Sequence, residues 1–215
     1  MSDPSTIRPK LVRVPTDRLL EILAQYVITL SDATRVAAVG IRGWAESEAG
    51  GGANKTGIYD DAICVVTRDG SWTYQGNTDP TRTIEGRAIA EAGQVVEMSP
   101  VIHHRTRPAA ERRFAFGQAS GVTIRRYDAG NELGELKKDQ YIGWNLHDGS
   151  IGTTGSEACQ TVAPEWWPGT VRELLVGLEI PLSELPTVET RIKQGLDLPE
   201  HWAAARFPYV LVNAA

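Results

Sequence analysis

The sequence predicts an α+β protein with one domain, in which a mainly β core carries helices at its periphery. Helical patterns are confined to residues 16–30 and to the stretch after 165, and no repeat or low-complexity linker divides the 215 residues. Between them lie runs rich in β-branched and aromatic residues, at 35–43, 62–67, 71–75, 94–98, 114–117, 121–126 and 141–147. A block of strands flanked by helices is typical of the α+β class.

The N-terminal segment has two parts. Residues 1–15 are proline-rich and predict an extended arm, so the single domain is expected to span 16–215. A helix is predicted over 16–30, with Thr16 as its N-cap. Its apolar face would consist of Leu19, Leu20, Leu23, Val27 and Leu30.

The remaining elements follow from local signals. Arg68-Asp69-Gly70 predicts the turn of a hairpin between 62–67 and 71–75. The glycine-rich segment 49–57 lacks the glycines of a phosphate-binding loop and is interpreted as a mobile loop. After residue 159, the Thr170–Glu173 capping box predicts one helix, residues 189–194 indicate a second, and 207–212 predict a closing strand.

Composition excludes several classes of protein. The net charge of −5 argues against a nucleic-acid partner, because such surfaces are normally basic. No run approaches the roughly 18 apolar residues that a membrane span requires. The first ten residues lack the pattern of a secretory signal, so we expect a protein made in the cytoplasm that must be released or delivered to act elsewhere. No cofactor and no metal site are predicted, and the oligomeric state stays open.

The two cysteines lie in different surroundings. Cys64 is inside an apolar β-branched run and is expected to be buried. Cys159 follows a loop of Gly, Ser and Thr, and His147 lies 12 positions upstream at the end of a predicted strand. An imidazole that removes the thiol proton turns cysteine into a nucleophile, and a glycine-rich loop lets backbone N–H groups approach an oxyanion. The pattern therefore predicts a cysteine-nucleophile enzyme.

His147, Gly149 and the sequence Ser156-Glu157-Ala158-Cys159 resemble the signature of the YkuD-type L,D-transpeptidases. The resemblance covers about a tenth of the chain and implies an L,D-transpeptidase-like β core. Relative to the family pattern, Asp148 separates the histidine from the glycine. Glu157 and Ala158 replace the usual His-Gly pair, as in a divergent variant of the kind found in phage and prophage proteins.

Carried over by position, the resemblance implies a role for each motif residue. Cys159 would be the nucleophile and His147 the base, with the backbone oxygen of Asp148 orienting the imidazole. The wall of the oxyanion site would be formed by Gly149, Gly155, Ser156 and Ala158.

The resemblance implies acyl transfer on peptidoglycan stem peptides through a thioester. Water or an amine would resolve the thioester, giving a hydrolase or a transpeptidase, and a lysis or effector role would suit a chain without an export signal. The alternative is a virion or interaction protein that keeps the fold without catalysis. A papain-like protease is disfavoured because the histidine precedes the cysteine by a short gap.

Four further residues are candidates for substrate contacts. His104 and Arg105 follow a predicted strand and could hold a substrate carboxylate, although a plain surface loop is the preferred explanation of them. Trp144 and Gln160 flank the motif on its two sides and are predicted to contact the substrate.

Overall fold

A closed barrel of strands forms the core of the protein. The computed structural model describes residues 10–44, 55–150 and 154–214. The described part of the chain contains four α-helices: α1 (Thr16–Gln25), α2 (Trp167–Gly177), α3 (Leu185–Lys193) and α4 (Glu200–Ala204). It also contains eleven strands: β1 (Val36–Arg42), β2 (Asp61–Thr67), β3 (Gly70–Asn77), β4 (Ala88–Ala90), β5 (Gln94–His103), β6 (Arg113–Gln118), β7 (Val122–Arg126), β8 (Lys137–Gln140), β9 (Asn145–Asp148), β10 (Gln160–Val162) and β11 (Phe207–Asn213).

Eight of the described strands close the barrel, in the order β1-β11-β5-β6-β9-β10-β3-β2. The neighbouring pairs are antiparallel except for β1 with β11 and β9 with β10, which run parallel. Strands β4, β7 and β8 form a separate small sheet. The prediction of an α+β protein with a mainly β core is confirmed.

The barrel interior is filled by aromatic and aliphatic side chains. Phe116 packs edge-on against Phe114, Trp167 and Phe207, while Trp144 packs edge-on against Tyr209. Such tilted pairs place the positive edge of one ring on the negative face of another. The interior therefore gives strands β6, β9 and β11 a common apolar face.

The first helix is shorter than the sequence predicted. It ends at Gln25, and Val27 has φ of +58° with its side chain 90% exposed. Pro15, not Thr16, is the N-cap, and the hydroxyl of Thr16 bonds that of Ser71 at 2.8 Å. The helix packs its Leu19 and Leu23 onto the outside of the barrel, in a second apolar cluster.

The predicted N-terminal arm lies partly outside the described residues. Residues 10–15 belong to no helix or strand and lie on the barrel, since Val14 is buried and its N–H donates to Thr73 Oγ1 at 3.0 Å. The described end of the arm is thus packed onto the domain.

The three C-terminal helices all contribute buried side chains to the interior cluster of the barrel. Helix α2 begins at Trp167, earlier than the capping box predicted, because Pro168 occupies its first turn. The Thr170 hydroxyl bonds Trp166 O at 3.1 Å instead of capping the helix. No helix among the described residues is long and apolar enough to cross a membrane.

Candidate functional site

The parallel pairing of β9 and β10 brings the predicted catalytic residues to one face of the barrel wall. Leu146 lies opposite Gln160, and His147 lies opposite Thr161. Leu146 points into the interior cluster. Because successive side chains of a strand point to opposite faces, His147 points outward. Cys159 directly precedes β10. Because the next residue, Gln160, points into the barrel, the side chain of Cys159 points outward, diagonally across the β9–β10 pair from His147.

His147 is held in one tautomer by its own strand. Its Nδ1 lies 2.6 Å from the backbone oxygen of Asp148, which can only accept, so Nδ1 carries the hydrogen and Nε2 carries the lone pair. Burial lowers the pKa of His147, and the hydrogen bond to Asp148 opposes this shift. At neutral pH the ring is therefore an uncharged potential base.

Cys159 is half-buried and is a free thiol. Burial raises the pKa of its thiol to about 11, while the backbone N–H groups of Asn145 and Ala158 and the side chain of Asn145 act in the opposite direction. In the structure Sγ donates weakly to Gly143 O at 3.8 Å. The resting sulfur is therefore protonated, and nucleophilic attack requires a base that removes the proton during the reaction.

Asn145 links the thiol to a second histidine, and the sequence did not predict this role. Its Nδ2 donates to Gly143 O at 2.8 Å and lies 2.9 Å from His103 Nδ1. His103 must accept through Nδ1 in this contact, which leaves the hydrogen on Nε2. The sequence signal for this role was the position of Asn145, because a polar residue two positions before His147 lies on the same face of the strand.

Three histidine rings stack beside this residue. The ring of His103 is stacked on that of His147 with centroids 4.4 Å apart, and its centroid lies 3.7 Å from that of the tilted His104 ring. Burial, reinforced by the nearby His147, His104 and Arg113, lowers the pKa of His103 to about 3. His104 has φ of +58°, and its predicted contact with a substrate stays a prediction. Arg105 points away into an exposed ion pair with Asp197.

The loop before Cys159 is fastened by Thr81. The Thr81 N–H donates to Ser156 O at 2.8 Å, the Ser156 N–H donates to Thr81 Oγ1 at 2.7 Å, and Thr154 Oγ1 lies 2.7 Å from the same hydroxyl. The Ser156 hydroxyl donates to Cys159 O at 2.6 Å. Ser156 therefore shapes the turn leading to Cys159, and its hydroxyl is already engaged.

Three neighbours of the motif have other structural roles. Gly155 has φ of +69°, a conformation that favours glycine. Gly149 lies so close to Tyr59 that an added Cβ would be 1.8 Å from the phenol oxygen. Glu157 forms an ion pair with Arg87 at 2.5 Å, and its negative charge contributes to the raised pKa of Cys159.

Two of the predicted substrate contacts are wrong. Trp144 and Gln160 are fully buried in the barrel. Gln160 donates to Thr78 O at 3.1 Å and accepts from the Tyr209 hydroxyl at 2.9 Å. Both residues alternate with the outward-facing motif residues, so their side chains point into the barrel and cannot reach a substrate.

A cleft of about 690 Å³ opens between β6 and α3. Asp148 and Arg113 lie at its inner end and approach each other to 3.4 Å. No cluster of three or more His, Cys, Asp or Glu side chains within the described ranges is arranged to hold a metal ion.

Comparison of the chain with protein-family models, with curated proteins and with solved structures gave no match. Functional inference therefore depends on the geometry of the site and on the motif residues.

Proposed function

We propose that this protein is a cysteine acyl-transfer enzyme that acts on peptidoglycan stem peptides at the bacterial cell wall. In this proposal the barrel is of the L,D-transpeptidase type, Cys159 is the nucleophile and His147 is the base. The observation that carries it is the Nδ1 contact of His147 with Asp148 O at 2.6 Å, which leaves Nε2 as a base on the face that Cys159 shares.

The proposed chemistry has two steps. His147 Nε2 removes the thiol proton as Sγ attacks the peptide carbonyl, and the protonated imidazole then gives its proton to the leaving amine, so that a thioester forms. Water or another amine then attacks the thioester and regenerates the thiol. Backbone N–H groups beside Cys159, such as that of Ala158, already point at the sulfur and are suited to stabilise developing negative charge.

The raised pKa of Cys159 defines how the base must act. With a thiol pKa of about 11, a preformed thiolate is scarce at neutral pH. His147 and Cys159 therefore function as a neutral pair, in which proton transfer accompanies attack. This requires the thiol to turn from Gly143 O toward the imidazole when substrate binds.

The test is digestion of purified sacculi, followed by mass spectrometry of the released or cross-linked peptides. Cys159→Ala should lower product formation on the order of a thousandfold. Cys64→Ala is the matched control, because it removes the other thiol, and it should retain activity if it folds. A mass increase of the wild-type protein that hydroxylamine reverses would identify the thioester. Equal turnover by Cys159→Ala would refute the assignment.

The acceptor is tested in the same assay by adding a small primary amine. Incorporation of the amine into the peptide identifies a transferase, and a free carboxyl product identifies a hydrolase. Labelling with heavy-oxygen water distinguishes the two products directly.

A non-catalytic interaction protein is the second candidate function. The observation that favours it is the resting thiol itself, which is protonated and bonded to Gly143 O instead of the imidazole. This alternative predicts no turnover of any stem peptide and slow labelling of Cys159 that is indifferent to substitution of His147.

A further inference from the structure

The cleft between β6 and α3 has a composition suited to a particular ligand. It begins at Asp148, whose backbone oxygen holds the imidazole, and at Arg113, whose charge lowers the pKa values of His103, His104 and His147. His147 and Cys159 do not line the cleft, so its link to the proposed base runs through Asp148 and Arg113.

The cleft combines an apolar floor with a cationic rim. The apolar side chains that line it are Phe114, Trp167, Pro186 and Ile192. Three cations, Arg112, Arg113 and Lys193, outnumber the two carboxylates of Asp148 and Glu189. The excess of positive charge is local, since the whole chain has a net charge of −5.

Two of these cations are fixed by backbone oxygens instead of carboxylates. Arg112 donates to Arg107 O at 3.0 Å and to Gly195 O at 3.5 Å, and Lys193 donates to Ala110 O at 2.7 Å. Neither forms an ion pair with a carboxylate among the described residues. Carbonyl oxygens orient these side chains without neutralising them, so each keeps its charge and at least one unused N–H for an anion.

We propose that this cleft binds a peptide segment that carries a free carboxylate next to an apolar group, as part of the substrate of the acyl-transfer reaction. The proposal extends the acyl-transfer function above and rests on it. The carboxylate would be held by Arg112 and Lys193, and the apolar group would lie on Trp167 and Phe114. A small, partly apolar cleft of this volume suits a short peptide, and excludes an extended polyanion that would need a continuous basic surface.

Binding can be measured separately from turnover. The probe is a fluorescent stem-like tetrapeptide with an amidated C-terminus and one free carboxylate within the chain, compared with the same peptide carrying a carboxamide there. Affinities are measured by fluorescence anisotropy with the Cys159→Ala protein. Arg112→Gln and Lys193→Gln are introduced singly into it, and Lys138→Gln on the exposed strand β8 is the matched control for loss of one positive charge.

The carboxylate peptide should bind about tenfold more weakly to each cleft variant, because each loses one charge-assisted hydrogen bond. The Lys138→Gln control should bind like its parent, and the carboxamide peptide should be insensitive to both cleft variants. Since Arg112 also fastens the chain near Gly195, Lys193→Gln provides the independent reading if Arg112→Gln fails to fold.

The outcomes separate the two proposals. Binding that depends on Lys193 without turnover by the wild-type protein would support the cleft and overturn the acyl-transfer function. Turnover with an affinity that neither cleft variant changes would overturn the cleft alone, as would equal binding of the two peptides. Failure of both peptides to bind the Cys159→Ala protein would also overturn the cleft.

Discussion

The imidazole rings of His103 and His147 lie face to face, with centroids 4.4 Å apart and planes inclined by 20°. Two protonated rings at this distance would repel each other, and burial disfavours the charge on each of them. Burial keeps His147 uncharged at neutral pH, and the stacked ring of His103 limits the rotation of its imidazole. His103 is, in our interpretation, a positioning residue for the proposed base.

The histidine stack should make the protein sensitive to acid. The pKa of His103 is lowered to about 3 in the folded protein, and an unfolded histidine titrates near 6.5. Between these values the unfolded chain binds more protons, so the free energy of unfolding falls as the pH drops below about 6.5. His103→Phe keeps a ring in place and should reduce this slope by up to about 1.4 kcal/mol per pH unit. Urea denaturation from pH 7 to 4 measures it, and parallel curves for the two proteins would contradict the prediction.

The pH dependence of alkylation should report the protonated thiol. With a thiol pKa of about 11, the rate of Cys159 modification by iodoacetamide should rise close to tenfold per pH unit from pH 7 to 10. Cys64 is fully buried, and its pKa is raised to about 12, so it should stay unlabelled in the native protein. The Cys159→Ala protein provides the baseline. A rate that levels off near pH 7 would instead indicate a preformed thiolate.

Substitution of Asn145 should make the thiol less reactive. The Asn145 side chain favours the thiolate, and its removal raises the pKa of Cys159 further. Asn145→Ala should therefore slow alkylation at pH 8 by several-fold, to a limit of about tenfold for one pKa unit. Asn213→Ala, at the exposed end of β11, is the control for loss of a carboxamide. An unchanged rate in a folded Asn145→Ala protein would rule out this role.

Gly149 should tolerate no side chain. A Cβ there would lie 1.8 Å from the Tyr59 hydroxyl and 3.0 Å from Thr154 O, and its N–H bonds Val162 O at 2.8 Å across the β9–β10 pair. Gly149→Ala should cost about 3 kcal/mol through overpacking. Gly86→Ala should cost only about 1 kcal/mol, because φ of +81° is strained there but no atom lies within 4 Å. Thermal denaturation of both variants tests this, and equal losses would refute the steric argument.

Asp61 should make the protein sensitive to alkali. Burial, together with the neighbouring Asp79 and Asp60, raises the pKa of Asp61 to about 8. Between about pH 4 and 8 the folded state holds a proton that the unfolded chain has released, so the free energy of unfolding falls as pH rises. Asp61→Asn should flatten this fall, although it lowers stability at every pH because the Gly43 and Thr78 N–H groups need two acceptors. A slope unchanged by the substitution would contradict the raised pKa.

Local signals in the sequence predicted the strands better than the helix ends. The hairpin of β2 and β3 and the closing strand β11 appear where the sequence has runs of β-branched and aromatic residues bounded by turn residues. Helix α1 ends before its apolar pattern does, because the chain turns at Val27, which has φ of +58° and is exposed, while Ile28 and Leu30 pack on the same apolar cluster from outside the helix. No sequence pattern predicted strand β8, because the four residues from Lys137 to Gln140 are polar and mostly exposed.

The sequence by itself determined the β-rich class, the buried position of Cys64 and the motif that makes His147 and Cys159 candidates, because these depend on residue types and on neighbours along the chain. Only the tertiary structure decided which side chains stand beside them. Pairing of β5, β6, β9 and β10 brings in Asn145, His103 and the cationic cleft, and strand alternation removes Trp144 and Gln160. Strand register is set by packing over the whole barrel, so no local pattern could specify it.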